Sequence, residues 1–421
     1  MKILFIHQNF PGQFKYLAPE LAKRGHEVVA LKLGKGPTGI YQGVKVINYQ
    51  VSRGSAEDIH PWVTDFETKI IRADGCARAA LKMKSEGFHP DLVLSHPGWG
   101  ESIFIKEIWP NVRLGIYCEF FYKAEGLDVG FDKEFPPMNF ELDSCRLRLK
   151  NINNLLHFDI CDFGLSPTLW QASTFPRQFR DKISVIHDGI DTNQLGPDKS
   201  ASIKLKAKSG NELHLSREDE VVTFVNRNLE PYRGYHIFMR ALPSLLKERP
   251  NLRVLIIGGK SVSYGKAPEV EKYGFSNWRD IFAKEAMQSM PSECWDRVHF
   301  LGHLPYEKYL AALQISLVHV YLTYPFVLSW SLLEAMSIGC SIIGSDTAPV
   351  KEVMNDYENG LLVDFFDEKA LKDKVVELLE SPELRSMLSS NAQKFSKDKY
   401  DLLNVCLPKQ VELIEALGHK D

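Results

Sequence analysis

The chain has 421 residues, enough at roughly 150 residues per domain for two or three domains that each bury a core. Hydrophobic residues make up 44% and charged residues 25%, an ordinary soluble balance, and the formal net charge of -3 argues against general binding to nucleic acid or another polyanion. No apolar stretch approaches the roughly 20 residues of a membrane span.

Met1 and Lys2 lead straight into Ile3-Leu4-Phe5-Ile6, so no signal peptide is expected, and this continuous apolar run predicts a parallel strand covered on both faces. A turn at Pro11-Gly12 follows, then an amphipathic helix with Phe14, Leu17, Ala18 and Leu21 on one face, closed by Gly25. Further strands are expected at 28–31, 44–47, 92–95, 114–118, 163–166 and 183–186. The stretch 125–143 breaks this pattern: it is acidic, rich in glycine and proline, and studded with Phe131, Phe135 and Phe140, as a functional loop over a cleft would be. The basic run Arg146, Arg148 and Lys150 would suit peripheral contact with a membrane, though a solvated helix face is the plainer reading. The seven cysteines, at 76, 118, 145, 161, 294, 340 and 406, show no paired metal spacing and suit a reducing cytoplasm.

A polar, lysine-rich segment then reads as an interdomain linker at 196–219, carrying Gly196-Pro197 and Ser209-Gly210-Asn211. A second strand series follows at 221–225, 254–257, 298–301, 317–322 and 341–344, most of them separated by a helix. The expected class is therefore α/β: two Rossmann-like doubly wound parallel sheets, at 1–195 and 220–398, facing across a cleft. The Gly-x-Gly-x-x-Gly fingerprint of a nicotinamide enzyme is missing.

The most informative stretch is TYPFVLSWSLLEAMSIG at 323–339, where a strand ends and a helix begins near Ser329. The free amides of Ser329, Trp330 and Ser331 would form an anion site at the helix N-terminus. Glu334 lies about one turn, ~5.4 Å, further along the same face. That offset suits a ligand whose diphosphate meets the amides while its ribose meets the carboxylate.

SLLEAMSIGCS at 331–341 resembles the donor-site helix of retaining glycosyltransferase family 4, whose fold is GT-B. In that family two glutamates bracket seven residues; the second holds the nucleotide ribose and the first contacts the donor sugar. Glu334 matches the second, while Phe326 stands in place of the first. VNRNLEPYRG at 225–234 resembles the family's Arg-and-Lys pair, with Arg227 as the arginine and Arg233 replacing the lysine. Two fixed cations there would stabilise the charge that grows on a leaving diphosphate, and arginine binds phosphate as a planar fork. Gly258-Gly259 resembles the family's glycine turn beside the donor, Gly302-His303-Leu304 the segment that meets the nucleotide base, and Gly12 the loop that meets a donor phosphate from the other domain. The long insert at 260–278 is expected to form part of the sugar pocket.

On the acceptor side, His96 and Glu119 each follow a strand end, and Glu119 stands near where many relatives carry a histidine. His187-Asp188-Gly189-Ile190-Asp191 resembles the family's interdomain hinge, and 399–421 its terminal helix that crosses back to the first domain. The resemblance implies retaining transfer of a hexose-type sugar from a nucleoside diphosphate, with UDP favoured, to a hydroxyl on a glycan, a lipid-linked sugar or a small molecule. It implies front-face attack, with a donor phosphate oxygen taking the acceptor proton. No cofactor is expected, and the absence of any Asp-x-Asp triplet predicts metal-independent catalysis. A GT-B-shaped sugar-nucleotide epimerase and a catalytically silent nucleotide-sugar binder stay open.

Overall fold

The computed structural model describes residues 1–418 except 138, 207–209 and 211. The chain divides into two units, one of residues 1–189 with those from Leu402 onward, the other of residues 190–401.

The first unit is built on an eight-stranded sheet: β1 (Lys2–Ile6), β2 (Glu27–Leu33), β3 (Gly39–Tyr41), β4 (Val44–Tyr49), β5 (Leu92–Ser95), β6 (Arg113–Tyr117), β7 (Phe163–Ser166) and β8 (Ile183–Val185). The order is β3-β4-β2-β1-β5-β6-β7-β8, and every neighbouring pair is parallel except β3 with β4. Both faces are covered, which is why the strands are apolar at successive positions. Ile3 and Phe5 join Val28, Ala30, Leu92 and Leu94 in one cluster, while Leu4 and Ile6 join Val29, Leu31 and Val93 in another. Leu402, Leu407, Val411 and Ile414 complete the first cluster, the last three from the helix Leu407–Gly418. The helix Thr64–Ser85 adds Cys76, Ala80 and Met83 to the second. Between Tyr117 and Phe140 no described residue lies in a helix or strand.

The second unit opens with an antiparallel hairpin, β9 (Ser202–Lys206) and β10 (Glu212–Ser216). It continues with a six-stranded, wholly parallel sheet of β11 (Val221–Asn228), β12 (Arg253–Gly259), β13 (Val298–Gly302), β14 (Val318–Tyr321), β15 (Ser341–Ser345) and β16 (Leu361–Val363). Their order is β13-β12-β11-β14-β15-β16, so the direction of winding reverses between β11 and β14. A crevice at the carboxyl ends of strands beside such a reversal is where open α/β sheets bind ligands.

Three expectations change here. The segment 196–219 is not a bare linker, although Ser209 and Asn211 lie outside the described residues. Its hairpin places Leu215 in the second unit's core, with Ile203, Leu205 and Leu213 packed against it. The boundary falls at Gly189/Ile190 rather than near 195, because Ile190 and Leu195 join that same core and the Ile190 amide donates to the Tyr400 carbonyl at 2.8 Å. Gly258 and Gly259, expected in a turn, form the last two residues of β12.

Candidate active site

β11 ends in Arg227-Asn228 on one side of the reversal, and the helix Trp330–Ile338 begins beyond β14 on the other. These ends line a pocket of about 290 Å³, shared by Val225, Asn226, Arg227, Asn228, Glu230, Arg233, Tyr264, Tyr309, Ser329, Trp330, Ser331 and Glu334. Both arginines therefore meet in one cavity with the carboxylate of Glu334.

The two arginines differ in setting. Arg227 is exposed, whereas Arg233 is buried, with Nη1 donating to Thr323 Oγ1 at 2.7 Å and to the Val327 carbonyl at 3.1 Å. The Tyr264 ring centroid lies 5.0 Å from its guanidinium carbon. Arg233 is carried in a one-turn 3-10 helix, Pro231–Arg233, closed by Gly234 at φ 67°. A Cβ at Gly234 would overlap the Leu322 side chain, so glycine lets the helix Tyr235–Glu248 start against the end of the neighbouring strand.

Glu334 is braced. Tyr306 donates its hydroxyl to Oε1 at 2.9 Å and Tyr309 donates to Oε2 at 2.7 Å, both from the helix Tyr306–Gln314. Burial and then the Glu334 charge push the Tyr309 phenol far above its ordinary value, so it remains a donor. Residues three apart on a helix share a face, and the two phenols hold the carboxylate from one side. The helix N-terminus is partly spoken for: the Ser329 amide donates to the Tyr321 hydroxyl at 3.0 Å, and Ser329 Oγ caps the Ser331 amide at 3.3 Å. The expectation of three free amides is corrected accordingly, because the cap and the buried phenol already satisfy two of them.

The insert at 260–278 supplies Tyr264 to the pocket. Phe326 is buried in an aromatic group, its centroid 5.0 Å from Tyr264 and 5.8 Å from Tyr232. Gly258, Gly259, Gly302, His303 and Leu304 do not line the cavity. They belong to the ends of β12 and β13, one and two strands away from the reversal; a Cβ at Gly259 would strike the His303 ring and Asn228 Oδ1.

The first unit gathers a second polar group at the ends of β1, β5 and β6. His96 Nδ1 accepts the Gly98 amide at 3.1 Å, which leaves its proton on Nε2, 3.6 Å from Glu119 Oε2. That separation is an ion-pair distance, longer than a hydrogen bond. His7 Nδ1 likewise accepts the Asn9 amide at 3.0 Å, so Nε2 donates to Gln13 Oε1 at 2.8 Å. Gln13 is thereby oriented with Nε2 toward Glu119 Oε1, at 3.3 Å. Burial, and then His96, lower His7 to about 4, so it is neutral at pH 7. Burial pushes Glu119 up, but the contacts of His96, His7 and Gln13 outweigh it and hold the carboxyl below its ordinary range. Trp99 packs on both rings, 4.8 Å from His7 and 4.5 Å from His96. Gly12, at φ 48°, allows the chain to cross the His7 ring, which any Cβ would strike.

The structure thus collects Arg227, Arg233, Ser329, Trp330, Ser331 and Glu334 in one pocket, and His96, Glu119 and the Gly12 turn in one cluster. Reasoning from sequence missed Glu230, Tyr306, Tyr309, His7 and Gln13. The Tyr306-Tyr309 spacing before an apolar helix face was the one local signal for the phenol pair.

The sequence profile of the glycosyl transferase family 4 group matches residues 24–195, and that of the glycosyl transferases group 1 matches residues 208–395. The uncharacterized glycosyltransferase MJ1069 of Methanocaldococcus jannaschii is 26% identical over 223 residues, 52% of this chain and 49% of its own length. The chain spans about half the length of the curated relatives it matches. Sucrose-phosphate synthase from Thermosynechococcus elongatus superposes with a TM-score of 0.72 at 16% identity over 99% of both chains. Anabaena HepE, in complex with UDP-glucose, does so with a TM-score of 0.66 at 15% identity over 99% of both. With two parallel α/β units and both profiles matched in order along its length, the chain belongs to the GT4-type, group 1 glycosyltransferases of the GT-B fold.

Proposed function

We propose that the protein transfers a hexose-type sugar from UDP to an acceptor hydroxyl with retention of anomeric configuration and without a metal. The observation that carries this reading is the pocket at the β11/β14 reversal. It sets two arginines beside a carboxylate that is already held by two phenols. Glu334 would accept the ribose hydroxyls, and its bracing removes the cost of ordering it when the nucleotide binds. Arg227 and Arg233 would neutralise the leaving diphosphate, whose charge grows in the transition state. A donor phosphate oxygen then takes the acceptor proton as the acceptor attacks on the face the diphosphate leaves. Glu119, kept ionised by the donors around it, would align the acceptor hydroxyl, with His96 beside it.

No described helix is long and apolar enough to cross a membrane, and all seven cysteines are free thiols. We infer a cytoplasmic enzyme; of the basic run only Arg148 is exposed, since Arg146 pairs with Asp143 at 2.9 Å and Lys150 lies over the Tyr122 ring at 3.9 Å. Thermal-shift and calorimetric screening of nucleoside diphosphates and their sugars, followed by NMR of the product, tests the whole reading. Tight UDP binding with an axial-to-axial or equatorial-to-equatorial outcome supports it, and turnover should persist in EDTA. Binding without turnover across donors and acceptors would favour the silent-binder reading. Conversion of donor alone would favour the epimerase.

A further inference from the structure

Glu230 is 1% exposed and lies at the wall of the pocket, its carboxylate turned toward the 260–278 insert. It accepts backbone N–H groups from three successive residues of the 260–278 insert: Ser263 at 3.1 Å to Oε1 and 3.2 Å to Oε2, Tyr264 at 3.3 Å and Gly265 at 3.4 Å to Oε2. Asn228 adds a bond from Nδ2 to Ser263 Oγ at 2.7 Å. A buried carboxylate costs free energy unless donors surround it, so this arrangement fixes the loop only while the charge and the amides stay together. The loop's side chain at the centre, Tyr264, lines the pocket over Arg233 and packs on Phe326.

We propose that Glu230 is a positioning residue that folds the 263–265 loop into a wall of the donor pocket, and that this wall, through Tyr264, recognises the hexose rather than the nucleotide. The inference rests on the UDP-sugar reading given above. Its geometry follows from the order of groups in such a donor: ribose, two phosphates, sugar. With the ribose at Glu334 and the diphosphate at the arginines, the residues packed on Arg233 from the insert are those that the sugar reaches next. An aromatic ring there offers the apolar face of a pyranose a flat partner, and Phe326 behind it holds the ring upright. Tyr264 retains 39% of its surface exposed, so it is available to a ligand.

The test compares Kd for UDP with Kd for a panel of UDP-hexoses by calorimetry in the wild type, Glu230→Gln and Tyr264→Ala. Glu230→Gln keeps the volume but replaces one acceptor oxygen by a donor facing the amides. The expected result is UDP affinity within about twofold of wild type for both variants, with the preferred UDP-hexose weakened at least tenfold. Tyr264→Phe should restore most of the hexose increment, because stacking survives the loss of the hydroxyl. Tyr264 sits on an exposed loop, so its variants test the idea even if Glu230→Gln fails to fold. Equal losses of UDP and UDP-hexose affinity, or no loss of either in Tyr264→Ala, would overturn the inference. So would a wild type that binds UDP but gains nothing from any hexose. A wild type that binds no uridine nucleotide at all would instead overturn the reading on which the inference stands.

Discussion

Replacing Glu334 by alanine removes the carboxylate that two phenols hold at 2.9 and 2.7 Å. If that carboxylate accepts ribose hydroxyls, its loss deletes hydrogen bonds to a charged group, each worth about 1.5–3 kcal/mol. One such bond corresponds to roughly one to two decades in Kd. Glu334 is only half-buried, which places the expected loss near the lower end, about tenfold for UDP. The ligand supplies the complementary deletion. Wild-type protein should bind 2′,3′-dideoxyuridine diphosphate about tenfold more weakly than UDP, whereas Glu334→Ala should bind the two alike. Tyr309→Phe removes one brace and leaves the carboxylate, so the effect should be smaller, about two- to fivefold. Calorimetry on this protein–ligand double-mutant cycle isolates the contact from general damage to the pocket. If Glu334→Ala still discriminated UDP from its dideoxy analogue as the wild type does, the ribose would lie elsewhere and the assignment of the pocket's ends would be wrong.

The remaining expectations follow from burial and charge. Arg227→Ala should fold normally and lower turnover far more than UDP affinity, since an exposed cation loses no internal bonds; equal effects on both would refute a role in the transition state. Arg233→Ala should also lower Tm, because Thr323 and the Val327 carbonyl lose a buried donor. Burial lowers His157 and His319 to about 4 and His187 to about 3, and it lowers His7 to about 4 together with His96. Their unfolded forms protonate near pH 6.5, so the stability they contribute is complete above that value and is lost as pH falls toward 4, by up to about 1.4 kcal/mol per pH unit per histidine. A Tm unchanged between pH 7.5 and pH 5 would contradict this. EDTA should leave the transfer rate intact; loss restored by magnesium or manganese would refute metal independence.

The strand framework was legible because parallel strands covered on both faces need apolar residues at successive positions, as at Ile3-Leu4-Phe5-Ile6. The helix Thr64–Ser85 was not, because it packs with small residues such as Ala73, Gly75, Cys76 and Ala80 and shows little apolar contrast. The β9–β10 hairpin carried a period-two signal in Ile203, Leu205, Leu213 and Leu215, which the surrounding lysines obscured. In the site, residues on the two segments at the β11/β14 reversal were readable locally. Glu230, Tyr264 and Tyr309 were harder, because their roles arise from segments brought together only by folding: the amides for Glu230 lie 33 to 35 residues further along. Gly258, Gly259, Gly302 and His303 lie at the ends of β12 and β13, outside the lining of this cavity, and motif analogy identifies such strand ends without saying how far each strand lies from the reversal.

Glu119 offers the sharpest division between a functional and a structural account of the first unit. Its side chain is 43% exposed, and its two oxygens face oriented donors on Gln13 and His96. Glu119→Gln keeps the size but cannot accept from both sides: an amide that turns its oxygen to Gln13 presents its NH₂ to the His96 Nε2–H, and the reverse orientation is no better. The charge that would hold an acceptor hydroxyl is lost as well. Transfer to the true acceptor should therefore fall by roughly 10²-fold, the scale of a positioned acid–base group. UDP affinity should not change, and slow hydrolysis of the donor should persist, since water requires less alignment than a specific hydroxyl. A structural role predicts the opposite pattern, a lower Tm with the transfer rate per folded molecule preserved. Measuring Tm, UDP affinity, hydrolysis and transfer on the same preparation separates the two accounts. A normally folded variant with an unchanged transfer rate would remove Glu119 from the mechanism and leave His96, whose Nε2 proton faces the same space, as the group to test next.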